Sequence, residues 1–221
     1  MPSPTAILFD LDGTLVDTID LLVQSMEFAF EHFDGRRPTR DEWVYGIGTT
    51  LRTQLQPFTR SPDELEAIVA RYRVYQLEHH DRMTTPYPGV TEVLTELKAA
   101  GHPMALVTSK GHALAMRVIG HVDYTRFFDV VVGGDSIANP KPAPDPVLKA
   151  ITDLGVGPDR AIFVGDSPHD INSGNAAGVA TAACLWGPFT RAQLATASPT
   201  HWLDDIHDLL PIAQARPRQT L

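Results

Sequence analysis

Aspartates stand in two close pairs along this 221-residue chain, Asp10 with Asp12 and Asp166 with Asp170, each pair following a short apolar run. Ala6-Ile7-Leu8-Phe9 leads into Asp10-Leu11-Asp12-Gly13-Thr14. Ala161-Ile162-Phe163-Val164 leads into Gly165-Asp166-Ser167-Pro168-His169-Asp170. Two further runs precede groups that complement carboxylates: Met104–Val107 ends in Thr108-Ser109-Lys110, and Val130–Val132 is followed by Asn139-Pro140-Lys141-Pro142. Clustered carboxylates repel one another and are costly to bury unpaired. A hard divalent cation relieves that cost, and magnesium suits a few aspartates plus a substrate phosphate oxygen. One carboxylate can then attack phosphorus. A second, two residues on, can protonate the leaving oxygen and later deprotonate a water. A lysine and a hydroxyl can stabilise charge on the transferring phosphoryl oxygens.

For that chemistry the residues must meet. The four runs, with a fifth over 180–185, are too short for solitary helices and too uniformly apolar for half-exposed strands, so they are expected as buried parallel strands. Amphipathic helices are predicted between them, over 90–100, 146–154 and 204–212. Strand–helix alternation argues for a doubly wound, mostly parallel α/β sheet with a Rossmann-like core, in which ligands bind beyond the carboxyl ends of the strands. Residues 17–85 interrupt the pattern with no convincing strand. Leu22, Met26, Ala29, Phe30 and Phe33 recur at helical spacing and stop at Asp34-Gly35. Ser61-Pro62-Asp63-Glu64 reads as a capping box opening a second helix. An all-helical cap over 17–85, inserted into an α/β core of 1–16 and 86–221, is the expected organisation. The polar tail over 215–221 is expected to fray.

Composition narrows the function classes. A net charge of -9 disfavours nucleic-acid phosphates and anionic membrane surfaces as partners. A small phosphorylated metabolite is compatible, because a bound cation inverts the local field. The single cysteine, Cys184, rules out an intramolecular disulfide and reads as a small buried hydrophobe. No stretch has the length of a membrane span, and the expected setting is the cytoplasm, as a monomer or homodimer.

Four motifs in this order resemble the haloacid dehalogenase superfamily of phosphohydrolases, in its subgroup similar to phosphoglycolate phosphatase. The resemblance spans Asp10 to Asp170, and the helical insertion sits where that subgroup carries its cap. It implies that Asp10 is the nucleophile, forming an aspartyl phosphate. Asp12 would be the general acid and base, with its backbone carbonyl on Mg2+. Thr108 and the Ser109 amide would hold the phosphoryl group, and Lys141 would bridge Asp10 and the phosphate. Asp166 would bind the metal directly and Asp170 directly or through water, Ser167 would act behind them, and Gly13 would allow the turn toward the cap.

Other residues divide between functional and bland readings. Lys110 is either a phosphate contact or a helix-start charge. Gly48, Thr49 and Arg52 lie in a glycine-containing cap loop, either a plain helix–helix connection or a specificity loop in which Arg52 grips a substrate anion. His169 is favoured as solvated, His79-His80 do not share a helix face, and Trp186 and Phe189 read as packing residues. The leading expectation is hydrolysis of a small phosphate monoester such as phosphoglycolate; the alternatives are a pyrophosphatase or a mutase of the β-phosphoglucomutase type. A dehalogenase has no need of Asp12, and a signalling phospho-aspartate domain does not account for the insertion. A silent binding scaffold leaves the full catalytic set without a purpose.

Overall fold

The computed structural model describes residues 4–215; most of the tail expected to fray lies outside the described residues. The strands are β1 (Ala6–Phe9), β2 (Val16–Asp17), β3 (Thr85–Pro86), β4 (Met104–Val107), β5 (Val130–Val132), β6 (Ala161–Gly165), β7 (Ala180–Cys184) and β8 (His201–Leu203). Six form one parallel sheet in the order β5-β4-β1-β6-β7-β8. The chain steps from β1 to β4 and β5 on one side, then crosses to β6, β7 and β8 on the other. The switch in direction therefore falls at β1, where such sheets open a crevice beyond their carboxyl ends.

Alternation along each strand sends side chains to two apolar layers. Ile7, Phe9, Leu106 and Val164 face Val93, Leu94, Val118 and Ile119 of α5 (Val90–Ala99) and α6 (His112–His121). Ala6, Leu8, Val107 and Phe163 face Val147, Ala150 and Ile151 of α7 (Asp145–Leu154). Strands covered on both faces explain the uninterrupted apolar runs, and Cys184 is buried among them.

The insertion has a separate apolar cluster. Val23, Met26 and Phe30 from α1 (Ile19–Ala29) and its end meet Trp43 of α2 (Arg40–Gly46), Leu55 of α3 (Leu51–Leu55) and Ile68, Val69 and Tyr72 of α4 (Pro62–His79). α1 ends earlier than its spacing predicts. After Ala29 the hydrogen bonds tighten, Glu31 N–H donating to Phe28 O, and Phe33 turns edge-on to Phe30 at 5.3 Å. Ser61 caps α4 by accepting from Glu64 N–H, but the Glu64 carboxylate turns to Arg60 rather than closing the box. β2 and β3 pair antiparallel, Val16 with Pro86 and Asp17 with Thr85, so both crossings into and out of the insertion run through one short ribbon. The expected boundaries at 16/17 and 85/86 lie on it. The rest of the sheet is covered by α8 (Pro168–Ala177), α9 (Arg191–Ala195) and α10 (Leu209–Gln214). Among the described residues no helix is long and apolar enough to cross a membrane.

Candidate active site

Asp10 is the first residue beyond β1, and its neighbours come from the ends of β4 and β6 and from the loop after β5. Lys141 Nζ lies 2.8 Å from Asp10 Oδ1 and 2.5 Å from Asp170 Oδ1, and donates to Val107 O at 3.3 Å. Ser167 caps α8 reciprocally with Asp170: Asp170 Oδ2 accepts the Ser167 hydroxyl at 2.6 Å and its N–H at 3.0 Å. The expected capping role at this helix start therefore coexists with the carboxylate cluster. Asp166 Oδ1 accepts from Thr14 at 2.7 Å, whereas Asp166 Oδ2 is buried with no hydrogen-bond partner among the described residues. Gly13 makes this approach feasible. Its φ is +85°, and a Cβ there would stand 2.4 Å from Asp166 Oδ2.

The cluster fits a hard divalent cation. Asp10, Asp166 and Asp170 are all buried, and each offers an oxygen within 4.8 Å of the others. Three carboxylates against the one ammonium of Lys141 leave two negative charges uncompensated in a dry place. Burial is the main reason the Asp10 carboxyl is pushed up to about 7, with Lys141 opposing it and Asp170 and Asp12 adding repulsion. Burial likewise raises Asp166 well above the usual carboxylate range, reinforced by Asp170 and Asp10. Burial alone would discharge Lys141, but Asp10 and Asp170 together hold it above its ordinary value. An orphaned carboxylate oxygen and raised acid pKa values mark a site short of positive charge.

Asp12 stands outside the triad. Its Oδ1 accepts from Thr18 Oγ1 at 2.6 Å and pairs with Lys110 Nζ at 3.2 Å. Lys110, undecided between surface and site, is thus turned into the site with its amine almost fully covered. Thr108 is buried, its hydroxyl accepting from Lys110 N–H at 3.2 Å. Above these groups lies a cavity of about 370 Å³, floored by Asp10, Asp12, Thr108 and Ser109 and walled by the insertion. Ser109 Oγ donates to Gly48 O at 2.5 Å, joining floor and wall. Gly48 has φ +102°, and a Cβ there would meet Ser167 Oγ at 2.5 Å, so the cap loop presses on the motif that carries Asp166.

The remaining sequence candidates divide. Gly48 and Thr49 line the cavity, although the Thr49 hydroxyl is turned back to Gly46 O at 2.8 Å. Arg52 lines it too, but its Nε and Nη2 are taken by Glu66 at 2.9 and 2.7 Å. The solvated reading of His169 is corrected: it is half-buried against the cap, Nε2–H donating to Tyr45 O at 3.3 Å, because the end of α2 covers the first turn of α8. Trp186 packs as expected and also donates to Thr14 O at 3.0 Å. Thr14 stood in the first motif without a role, and its hydroxyl on Asp166 gives it one. Thr18, Arg73 and Gln76 escaped the sequence reading: Thr18 carries no motif of its own, and the two helix residues follow only from knowing which face of α4 turns inward.

Known proteins resemble this chain in sequence and fold. The family model for haloacid dehalogenase-like hydrolases matches residues 7–184. The pyrophosphatase PpaX of Bacillus velezensis is 36% identical over 208 residues, 94% of this chain and 95% of that protein. The pyrophosphatase PpaX of Halalkalibacterium halodurans is 35% identical over 96% of this chain and 98% of its own. Among solved structures, one described as a predicted phosphoglycolate phosphatase from Haemophilus somnus superposes with a TM-score of 0.85 at 27% identity, over 97% of this chain and all of that one. With the family matched from β1 through β7 and the aspartates gathered at the sheet's carboxyl edge, this chain belongs to the haloacid dehalogenase-like hydrolases and is a phosphatase.

Proposed function

We propose that this phosphatase cleaves inorganic pyrophosphate with magnesium, through a phosphoryl group carried on Asp10. The observation behind it is the cavity: small, floored by a carboxylate nucleophile, with Lys110 beside that floor and Arg52 and Arg73 on the cap wall, so that cations stand at both ends for a substrate anionic at both ends. Phosphoglycolate stood first from sequence. The relatives that match nearly the whole chain at 35–36% identity and are named pyrophosphatases favour the alternative.

Asp10 Oδ1 is anchored on Lys141, which leaves Oδ2 to attack phosphorus. As that P–O bond forms, the bond to the departing phosphate breaks, and Asp12 gives the leaving oxygen a proton. Thr18 and Lys110 occupy one oxygen of Asp12 and so aim the other. Thr108, the Ser109 amide and Lys141 hold the phosphoryl oxygens as charge builds. A water then gives its proton to Asp12 and attacks the aspartyl phosphate, and orthophosphate leaves with Asp10 restored. Magnesium would be held by Asp10, Asp166, Asp170 and the Asp12 carbonyl, and supplies positive charge against the phosphoryl oxygens. Residues 17–85 act as a cap that shuts out bulk water, hinged at the β2–β3 ribbon.

The test is a panel of pyrophosphate, phosphoglycolate and a sugar monophosphate, each with magnesium and with a chelator. Fastest turnover of pyrophosphate, abolished by the chelator, is expected. A preference for phosphoglycolate would restore the first expectation, and turnover only with a sugar bisphosphate activator would point to a mutase.

A further inference from the structure

α4 brings two groups to the cavity that the chemistry at Asp10 leaves unused. Arg73 lines the wall opposite the catalytic floor. The acid whose charge reaches it, Glu66, is already held by two hydrogen bonds from Arg52, and among the described residues Arg73 makes no ion pair of its own. One helical turn on, Gln76 is 4% exposed, lines the same cavity, and makes no side-chain hydrogen bond among the described residues. Its amide is not one of the orphaned buried groups but opens onto the cavity, where its donors are free for a ligand. Of the rest of the cap wall, Leu22, Trp43, Ile47 and Leu51 are apolar, the side-chain amide of Gln54 donates to Thr49 O, and Arg52 is already engaged by Glu66, which leaves Arg73 as the wall's cation without a carboxylate on it.

The transferring phosphoryl group must sit on the floor, within reach of Asp10, so whatever it is attached to extends toward α4. A guanidinium presents a fork of donors matched to phosphate or carboxylate oxygens, and a neighbouring amide adds another donor. We infer that Arg73 and Gln76 form a subsite for a second anionic group on the substrate, a phosphoryl or carboxylate beyond the one transferred. The inference rests on the phosphatase reading of this cavity but not on pyrophosphate being the substrate. Arg73 then selects what is cleaved without touching the atoms that react.

The experiment measures kcat/KM of the full-length wild type, Arg73→Gln and Arg73→Lys on pyrophosphate, phosphoglycolate and phenyl phosphate, whose leaving group is uncharged. Arg73→Gln is expected to lower the preference for the better anionic substrate over phenyl phosphate by about 30-fold, chiefly through KM, with Arg73→Lys regaining part of it. Calorimetric titration of pyrophosphate and phosphoglycolate into Asp10→Asn and Asp10→Asn/Arg73→Gln gives the same comparison without turnover. Loss of the same factor on all three substrates, or an unchanged preference, overturns the subsite. A wild type that prefers phosphoglycolate, with that preference lost in Arg73→Gln, overturns the pyrophosphatase proposal and leaves the subsite standing.

Discussion

The floor and the wall of the cavity are built on opposite terms. On the floor Asp10, Lys141, Asp166 and Asp170 are nearly inaccessible: Lys141 holds Asp10 and Asp170 at 2.8 and 2.5 Å, Thr14 holds Asp166 at 2.7 Å, and the packing leaves Gly13 no room for a methyl group. On the wall Arg52, Glu66 and Arg73 are open to solvent and tied by at most one exposed ion pair. A dry, crowded arrangement fixes charge and geometry and amplifies electrostatics; an open one costs little to alter. The floor is thus suited to unvarying chemistry and the wall to adjustable selection. Changes to the floor are expected to reach kcat and stability together, and changes to the wall to reach substrate preference.

The sharpest contrast on the floor is Asp12→Ala. With Asp12 as the proposed proton donor, its loss is expected to lower kcat on the order of 10³-fold and, with Thr18 and the covered Lys110 left without their partner, to lower the melting temperature as well, by steady-state kinetics and thermal melting. A kcat within about tenfold of wild type would remove Asp12 from proton transfer. Lys141→Met comes next. It strands Asp10 and Asp170 without their shared cation and is expected to cost about 3–5 kcal/mol in denaturant unfolding, besides activity. If Lys141→Met were as stable as wild type, the cluster would not be held together as described.

Asp166→Asn should have the opposite sign in the absence of metal. The folded-state pKa values of Asp10 and Asp166 are raised above the unfolded 3.8, so their contribution to stability is fully present below about 3.8 and lost as pH rises through the folded values, about 7 for Asp10. In chelator, wild-type stability is expected to fall from pH 5 to pH 8. Asp166→Asn should flatten part of that slope and gain about 1–3 kcal/mol at pH 8. Added magnesium should raise the melting temperature of wild type far more than that of the variant. Equal pH slopes in the two proteins would remove Asp166 from the charge-starved cluster. The smallest effect belongs to the wall: Arg52→Gln, breaking an exposed pair with Glu66, is expected to change unfolding free energy by less than about 1 kcal/mol.

The same contrast governs what could be read from sequence. Strand runs such as Ala6–Phe9 and Ala161–Gly165 were legible because burial on both faces leaves an unbroken apolar signature, and the residues ending them carried the site. Helix α7 was legible to within a residue from its apolar spacing and Gly155. β8 was not, because His201-Trp202-Leu203 is a three-residue edge strand with no apolar run. The β2–β3 ribbon escaped because two-residue strands joined across nearly seventy residues of cap leave no local pattern. On the wall, Arg73 looked like any helix-surface arginine. Only the packing of Tyr72 into the cap cluster turns its neighbour toward the cavity.

The proposed chemistry turns on one atom, the carboxylate oxygen of Asp10 that Lys141 leaves free. The direct test is to mix enzyme, magnesium and pyrophosphate, quench with acid within a turnover, and weigh the peptide that contains Asp10. It is expected to carry the mass of one phosphoryl group, absent when Asp10→Asn replaces the wild type. Rapid turnover with no phosphoryl mass on that peptide, together with an Asp10→Asn variant that still releases phosphate, would contradict the account.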